Sequence, residues 1–103
     1  MFLKVSAAST VTLEDPHNFR AFKVVVTTPD TELAAVRQTL ANVATLPDRG
    51  TAWVSEQALR AWPGYANDAQ WQSSLTAMIE KARPYGWIDE ASKSIKAHVE
   101  WVT

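Results

Sequence analysis

The sequence of 103 residues contains no cysteine, which excludes disulfide frameworks, thiolate zinc sites, iron–sulfur clusters and cysteine nucleophiles. It has no apolar run near the roughly 18 residues that a membrane-spanning helix requires. Its three glycines are isolated from one another, so no glycine-rich phosphate loop is present. The first residues include no sustained apolar segment of the signal-peptide kind, and we therefore expect a cytoplasmic protein without a membrane association.

Charge and composition are those of an ordinary soluble globular chain. Ten basic residues stand against eleven acidic ones, and 47% of the residues are hydrophobic. A chain of this size can bury one hydrophobic core and is too short for two ordinary ones. We expect residues 1–103 to form a single domain that needs neither a cofactor nor a structural metal.

The first quarter of the chain is typical of β-structure. Residues 2–13 carry apolar side chains at a period of two, which predicts a half-buried strand. Residues 14–18 are turn formers. Residues 19–27 contain three consecutive valines, which predicts a second strand covered on both faces. Strand, turn and strand together predict an N-terminal β-hairpin.

Helical patterns dominate the middle of the chain. Residues 29–46 predict a first helix, with Thr28 as its N-cap. A short strand is predicted at 51–54, followed by a short helix that begins after Ser55. The helix predicted at 68–83 has the strongest apolar stripe in the chain, and Asp68 is its expected N-cap. Shorter strand patterns follow at 87–89 and 95–101.

The order of these elements from residue 29 onward is that of a winged-helix domain. Residues 63–67 would form the turn of a helix-turn-helix, and a C-terminal β-hairpin over 87–102 would form the wing. The predicted fold is therefore α+β and winged-helix-like, with an additional N-terminal β-hairpin. Another small α+β sheet protein, such as a ferredoxin-like domain, is the alternative.

Five tryptophans, all after residue 50, are the most unusual feature of the composition. Trp71, Trp87 and Trp101 fall on inward positions of predicted elements, and we expect these large side chains to anchor the core.

A second group of aromatic residues has no clear place in the predicted core. It consists of Trp53, Trp62 and Tyr65, of which the last two flank the proline–glycine turn between the predicted helices. Exposed aromatic side chains mark partner interfaces or ligand pockets. Our leading hypothesis is a small binding module that uses these residues to pair with another protein or with a second copy of itself.

A DNA-binding regulator is the first alternative. In a winged helix the second helix of the pair enters the major groove. The side chains that would contact DNA are Gln70, Gln72, Ser73, Thr76, Lys81 and Lys93. DNA affinity depends mainly on phosphate neutralisation, and residues 55–103 hold five basic and six acidic side chains, which disfavours this alternative.

An enzyme or a small ligand-binding protein is the second alternative. The chain has two histidines, His17 in a polar turn and His98 on the polar face of the last strand, and either can act as a general base. No nucleophile motif and no metal-ligand spacing accompanies them. The sequence assigns no substrate and does not show whether the two histidines converge.

Overall fold

The computed structural model describes residues 1–6 and 10–102 of the chain. These residues form an α+β structure with one mixed sheet of seven strands and three α-helices. The strands are β1 (Phe2–Ser6), β2 (Thr10–Glu14), β3 (Lys23–Val26), β4 (Ala44–Asp48), β5 (Thr51–Ser55), β6 (Ile88–Asp89) and β7 (Ser94–Trp101). The helices are α1 (Leu33–Leu40), α2 (Glu56–Arg60) and α3 (Ala69–Ala82), and single 3-10 turns lie at Asp30–Glu32 and Arg83–Tyr85.

The sheet has the strand order β2-β1-β3-β7-β5-β4, with the short β6 also paired to β7. Strands β1, β3 and β7 are mutually parallel, and the other pairs are antiparallel. The predicted hairpin between 2–13 and 19–27 is wrong. The hairpin lies within the first segment, where β1 pairs with β2, and β3 instead runs parallel to β1. The part of the strand prediction that covers residues 7–9 lies outside the described residues.

The N-terminal hairpin preserves the period-two pattern that was interpreted as one long strand. Val5 is paired with Val11, and Leu3 is paired with Leu13. All four side chains therefore lie on one face of the sheet, as alternate residues of a single strand also would. Hydrophobic periodicity alone does not distinguish these two arrangements.

All three helices pack on one face of the sheet and form one core with it. The buried stripe of α3 consists of Trp71, Leu75, Ile79 and Ala82, which confirms the helix predicted at 68–83. The two predicted N-caps of the later helices are also confirmed. Ser55 Oγ accepts a hydrogen bond from the Ala58 N–H (3.1 Å), and Asp68 Oδ1 accepts one from the Trp71 N–H (3.0 Å).

The first helix is shorter than predicted. It begins at Leu33 without a side-chain N-cap, so the prediction of Thr28 as its cap is wrong. It ends at Leu40, and residues 44–48 instead form β4 because they pair with β5. The ladder hydrogen bonds to a neighbouring strand override the helical spacing of the apolar residues there.

No described helix covers the opposite face of the sheet, which we call the open face. Its side chains alternate with the buried ones along each strand. Val25 lies on this face and is half-buried, so the prediction that the three-valine strand is covered on both sides is wrong. Lys4 and Glu100 are its neighbours on the adjacent strands.

The winged-helix layout is not confirmed. The segment interpreted as a wing includes β7, which is a central strand that pairs with β5 on one side and with β3 and β6 on the other. The sheet, rather than a helix-turn-helix, is the main structural element.

Replacing Trp71 with phenylalanine is expected to lower the free energy of unfolding by about 1–3 kcal/mol. The substitution leaves a small void in the core and removes the indole N–H that donates to the Pro16 carbonyl (2.9 Å). Trp53→Phe is the matched control, because the Trp53 indole is half-buried on the open face and makes no hydrogen bond to a described residue. Urea unfolding followed by circular dichroism measures both variants, and equal losses would contradict the prediction.

Candidate ligand-binding site

A gap in the sheet lies beside the middle of β7. On one edge of β7, pairing with β6 involves Ser94 and Ile95, and the Lys96 N–H donates to the Trp87 carbonyl (2.7 Å). Pairing with β3 on the same edge begins at His98. The two short partner strands, β6 and β3, lie end to end along this edge of β7, and the ladder is interrupted between them. Trp87, just before β6, and Phe22, just before β3, flank the interruption.

The loop that carries Phe22 is tied down at several points. The Met1 amino group donates hydrogen bonds to the carbonyls of Asn18 (2.5 Å) and Ala21 (3.0 Å). The Trp71 indole binds the Pro16 carbonyl of the same loop, and the Phe19 ring lies 6.1 Å from the Trp71 ring. These contacts hold the residue 15–22 loop over α3, on the helix side of the gap.

The other wall of the gap is formed by the turn between α3 and β6. Gly86 has a φ of 76°, a left-handed conformation that glycine adopts without steric cost. This turn places the rings of Tyr85 and Trp87 4.7 Å apart and stacked. Beyond β6, the Ser92 hydroxyl donates to Asp89 (2.8 Å), and this hydrogen bond lowers the pKa of the Asp89 carboxyl.

A cavity of about 530 Å³ lies on the helix side of the gap, open to solvent. We call it the Trp87 cavity. Its walls come from the residue 15–22 loop, the exposed flank of α3, the turn before β6, and β7. The apolar and aromatic lining residues are Phe19, Phe22, Ala77, Met78, Ala82, Tyr85, Trp87 and Ile95, and Ser74 adds a hydroxyl.

The charge of the Trp87 cavity has one sign. Arg20, Lys81 and Lys96 line it, and no carboxylate is found among the described residues that line it. None of these three cations forms an ion pair with a carboxylate in the described part of the chain. Arg83, two residues after Lys81, is by contrast paired with both Glu80 and Glu90.

A second cavity, of about 420 Å³, lies at the open-face side of the same gap. It shares Phe22, Trp87 and Lys96 with the Trp87 cavity, and it adds Thr51 and His98 from the open face. The two cavities therefore adjoin at the gap in the sheet. Together they form the candidate site.

None of the three predicted partner contacts lines this site. Trp62 and Tyr65 are half-buried and packed against the core, and the Tyr65 ring lies 5.0 Å from the Trp71 ring. Trp53 lies on the open face, where it is paired across the strands with Lys96. The three residues do not form one patch, and their role in binding a partner stays a prediction.

The residues predicted to contact DNA are also divided between different environments. Gln72 and Thr76 bind the Arg60 guanidinium, at 3.0 and 2.8 Å. The Gln72 amide also donates to the carbonyls of Arg60 (2.9 Å) and Tyr65 (3.0 Å). These two side chains thus join α2 to α3 and are not free to read bases.

The other four residues of that set are exposed. Gln70 and Ser73 lie on the surface of α3, Lys81 lines the Trp87 cavity, and Lys93 lies in the turn between β6 and β7. A continuous base-reading surface made of all six residues is therefore not present in the described structure.

The two histidines do not converge. His17 lies over the helix layer, with its ring 6.1 Å from the Tyr65 ring. His98 lies on the open face of the sheet and lines the second cavity. They are on opposite sides of the sheet, so a catalytic pair of histidines is not formed.

Sequence reasoning missed the main aromatic residue of the site. Trp87 was expected in the core, but 47% of its surface is exposed, and Tyr85 is 69% exposed. Ile88 occupies the first position of β6 and is packed against the core instead. The proline and glycine around Tyr85 were the available signal, because they predict a turn rather than a buried strand start.

Comparison with known proteins gives no further assignment: no protein-family model, no curated protein and no solved structure matches the chain. Within residues 1–6 and 10–102, no group of three or more histidine, aspartate or glutamate side chains is arranged to hold a metal ion. No described helix has the length and apolar character needed to cross a membrane.

Replacing Gln72 with alanine is expected to lower the free energy of unfolding by about 1–3 kcal/mol, because Arg60 and two backbone carbonyls each lose one hydrogen bond. Gln70→Ala in the same helix is the matched control, since Gln70 is exposed, and its effect is expected to stay within about 0.5 kcal/mol. Chemical unfolding measures both values. A Gln72→Ala variant as stable as the wild type would contradict the structural role.

Proposed function

We propose that the protein binds a small amphipathic anion, with an apolar or aromatic body and one carboxylate, sulfonate or phosphate group. The observation that carries the proposal is the composition of the Trp87 cavity. Exposed aromatic rings and the basic residues Arg20 and Lys81 border one apolar hollow, and Lys96 lines it from the strand at the gap. In the described part of the chain, no carboxylate lines the cavity and none of these cations is in an ion pair.

The volume and the wall chemistry of the cavity support a small ligand. Ligand pockets are typically about 300–1,000 Å³, mostly apolar, with a few polar groups that orient the ligand. The Trp87 cavity is within this range. The stacked rings of Tyr85 and Trp87 offer an aromatic surface, and Met78 adds an adaptable apolar side chain.

The positions of the cations support an anionic end group. Lys96 lies at the gap and lines both cavities, whereas Lys81 lines the Trp87 cavity from α3. Because no described carboxylate lines the cavity or pairs with them, a bound anion gains Coulomb energy without first breaking an ion pair between described residues. Partial removal of the site from water strengthens this attraction.

Other functions derived from the sequence have less support. A protein-binding role through Trp53, Trp62 and Tyr65 lacks a shared surface. A winged-helix DNA-binding role would need Gln72 and Thr76, which already bind Arg60. An enzymatic role would need two reactive groups close together. His98 borders the site, but His17 lies on the other side of the sheet.

Two fluorescent probes of similar shape test the proposal. We expect 8-anilinonaphthalene-1-sulfonate to bind saturably, and its uncharged relative N-phenyl-1-naphthylamine to bind more weakly, because only the first carries an anion. Trp87→Ala is expected to weaken both probes, since it removes part of the apolar wall. Titration followed by probe fluorescence, and confirmed by calorimetry, measures each dissociation constant.

Variants in which one lysine is replaced by glutamine distinguish binding at this site from non-specific binding of the dye elsewhere on the protein. Lys81→Gln is expected to raise the dissociation constant of the sulfonate probe roughly five-fold, which corresponds to about 1 kcal/mol for a partly exposed charge pair. The dissociation constant of the uncharged probe is expected to stay unchanged. Lys4→Gln, on the open face and outside both cavities, is the matched control. Equal binding of the two probes, or an equal loss in both lysine variants, would overturn the proposal.

A further inference from the structure

The two edges of the sheet differ in how they are protected. At one edge, β4 contains Pro47 and its register with β5 shifts between Thr45 and Asp48. Proline and irregular pairing are common means by which proteins prevent an edge strand from binding another chain. At the other edge, β2 has regular pairing with β1 over its whole length and contains neither proline nor lysine.

The hydrogen bonds of β1 show which backbone groups of β2 are free. The Thr27 N–H donates to the Val5 carbonyl (2.9 Å), so Val5 directs its backbone groups toward β3. Because direction alternates along a strand, Lys4 directs its groups toward β2 and exchanges hydrogen bonds with Thr12. The N–H and carbonyl groups of Val11 and Leu13 therefore point away from the sheet, and no described residue binds them.

These free groups are arranged to pair with a second copy of the same strand. An antiparallel pair of β2 strands, with Thr12 on the two-fold axis, places Val11 of one copy opposite Leu13 of the other. In this register each such pair exchanges both of its hydrogen bonds, as in an ordinary antiparallel ladder. One register thus uses every free N–H and carbonyl of Val11 and Leu13.

The side chains of β2 are compatible with this register on both faces. On the helix side, the half-buried Val11 and Leu13 of the two copies cover one another. On the open face, the exposed Thr12 side chains meet at the axis, and Thr10 lies opposite Glu14. No two like charges face each other, and threonine pairs across strands are favourable.

Helix α1 adds to the protection of the β4 edge. It packs against β1, β2 and β4. The Arg37 guanidinium donates hydrogen bonds to the carbonyls of Leu46 (2.9 Å) and Pro47 (3.3 Å) on β4. These two carbonyls of β4 are therefore already occupied, unlike those of Val11 and Leu13.

We propose that the β2 edge pairs with the β2 edge of a second copy of this chain, forming a two-fold dimer with a continuous sheet. The irregular β4 edges then lie at the two ends of that sheet and stop further growth. The proposal is independent of the Trp87 cavity, whose lining includes no residue of β2.

A charge-swap experiment at the two-fold axis tests the register. The wild type is expected to show a concentration-dependent dimer mass in sedimentation velocity. Thr12→Lys and Thr12→Glu each place like charges face to face, and each is expected to weaken dimerisation at least about ten-fold. An equimolar mixture of the two variants is expected to recover the dimer, because opposite charges then meet at the axis.

Two further variants and a folding check complete the test. Thr10→Lys is expected to strengthen the dimer, since the new charge lies opposite Glu14 of the other copy. Thr45→Lys, exposed on the β4 edge, is the matched control and is expected to leave the mass unchanged. Circular dichroism verifies the fold of Thr12→Lys, because the new lysine is paired with Lys4 in its own sheet. A wild-type protein that stays monomeric to about millimolar concentration, a failed recovery in the mixture, or open-ended polymers would overturn the proposal.

Discussion

The length of β7 is the constraint on which the rest of the structure depends. This central strand has eight residues, whereas β3 and β6, which share one of its edges, have four and two. On the other edge, β5 covers Ser94 to His98 without interruption. The mismatch leaves one stretch of β7 without a ladder partner, beside Lys96. The residue 15–22 loop and the turn after α3 close around this stretch from opposite directions, and the two cavities form there because neither segment fills it.

Local signals predicted α3 and the N-caps of the two later helices, whereas the Thr28 cap was wrong and the pairing of distant strands was not predicted. The α3 stripe and the caps at Ser55 and Asp68 depend on neighbours within a few residues, so the sequence displays them directly. The parallel pairing of β1 with β3 depends on which segments meet after folding, and no spacing in the chain records it. The same limit applies to the site. The proline and glycine next to Tyr85 predict a turn before Trp87, but the position of Trp87 at the gap depends on where β6 pairs with β7, which the sequence does not display.

The uncovered face of a partly parallel sheet also needs a physical explanation, because parallel strands are usually covered on both faces. Here long charged side chains take over part of that role. Lys23 forms an ion pair with Glu100 (3.1 Å) and lies over the Phe2 ring, 6.0 Å from its centre. The aliphatic stems of such side chains cover apolar surface while their charged ends stay in water. Val25 and Phe2 can therefore remain only half-buried without a second helical layer.

The candidate site brings together basic residues from separate segments of the chain. Arg60 is paired with Glu56, four residues earlier, and Arg83 with Glu80, three residues earlier, which are the usual spacings of ion pairs on helices. Arg20, Lys81 and Lys96 come from a loop, a helix and a strand that are distant in sequence, so no charge run along the chain reveals them. Their stems can cover apolar surface, but their like charges repel one another, and none of the three forms an ion pair with a carboxylate in the described residues. A local arrangement that stability does not fully explain is where function is expected, and the proposed anionic ligand would make this arrangement favourable.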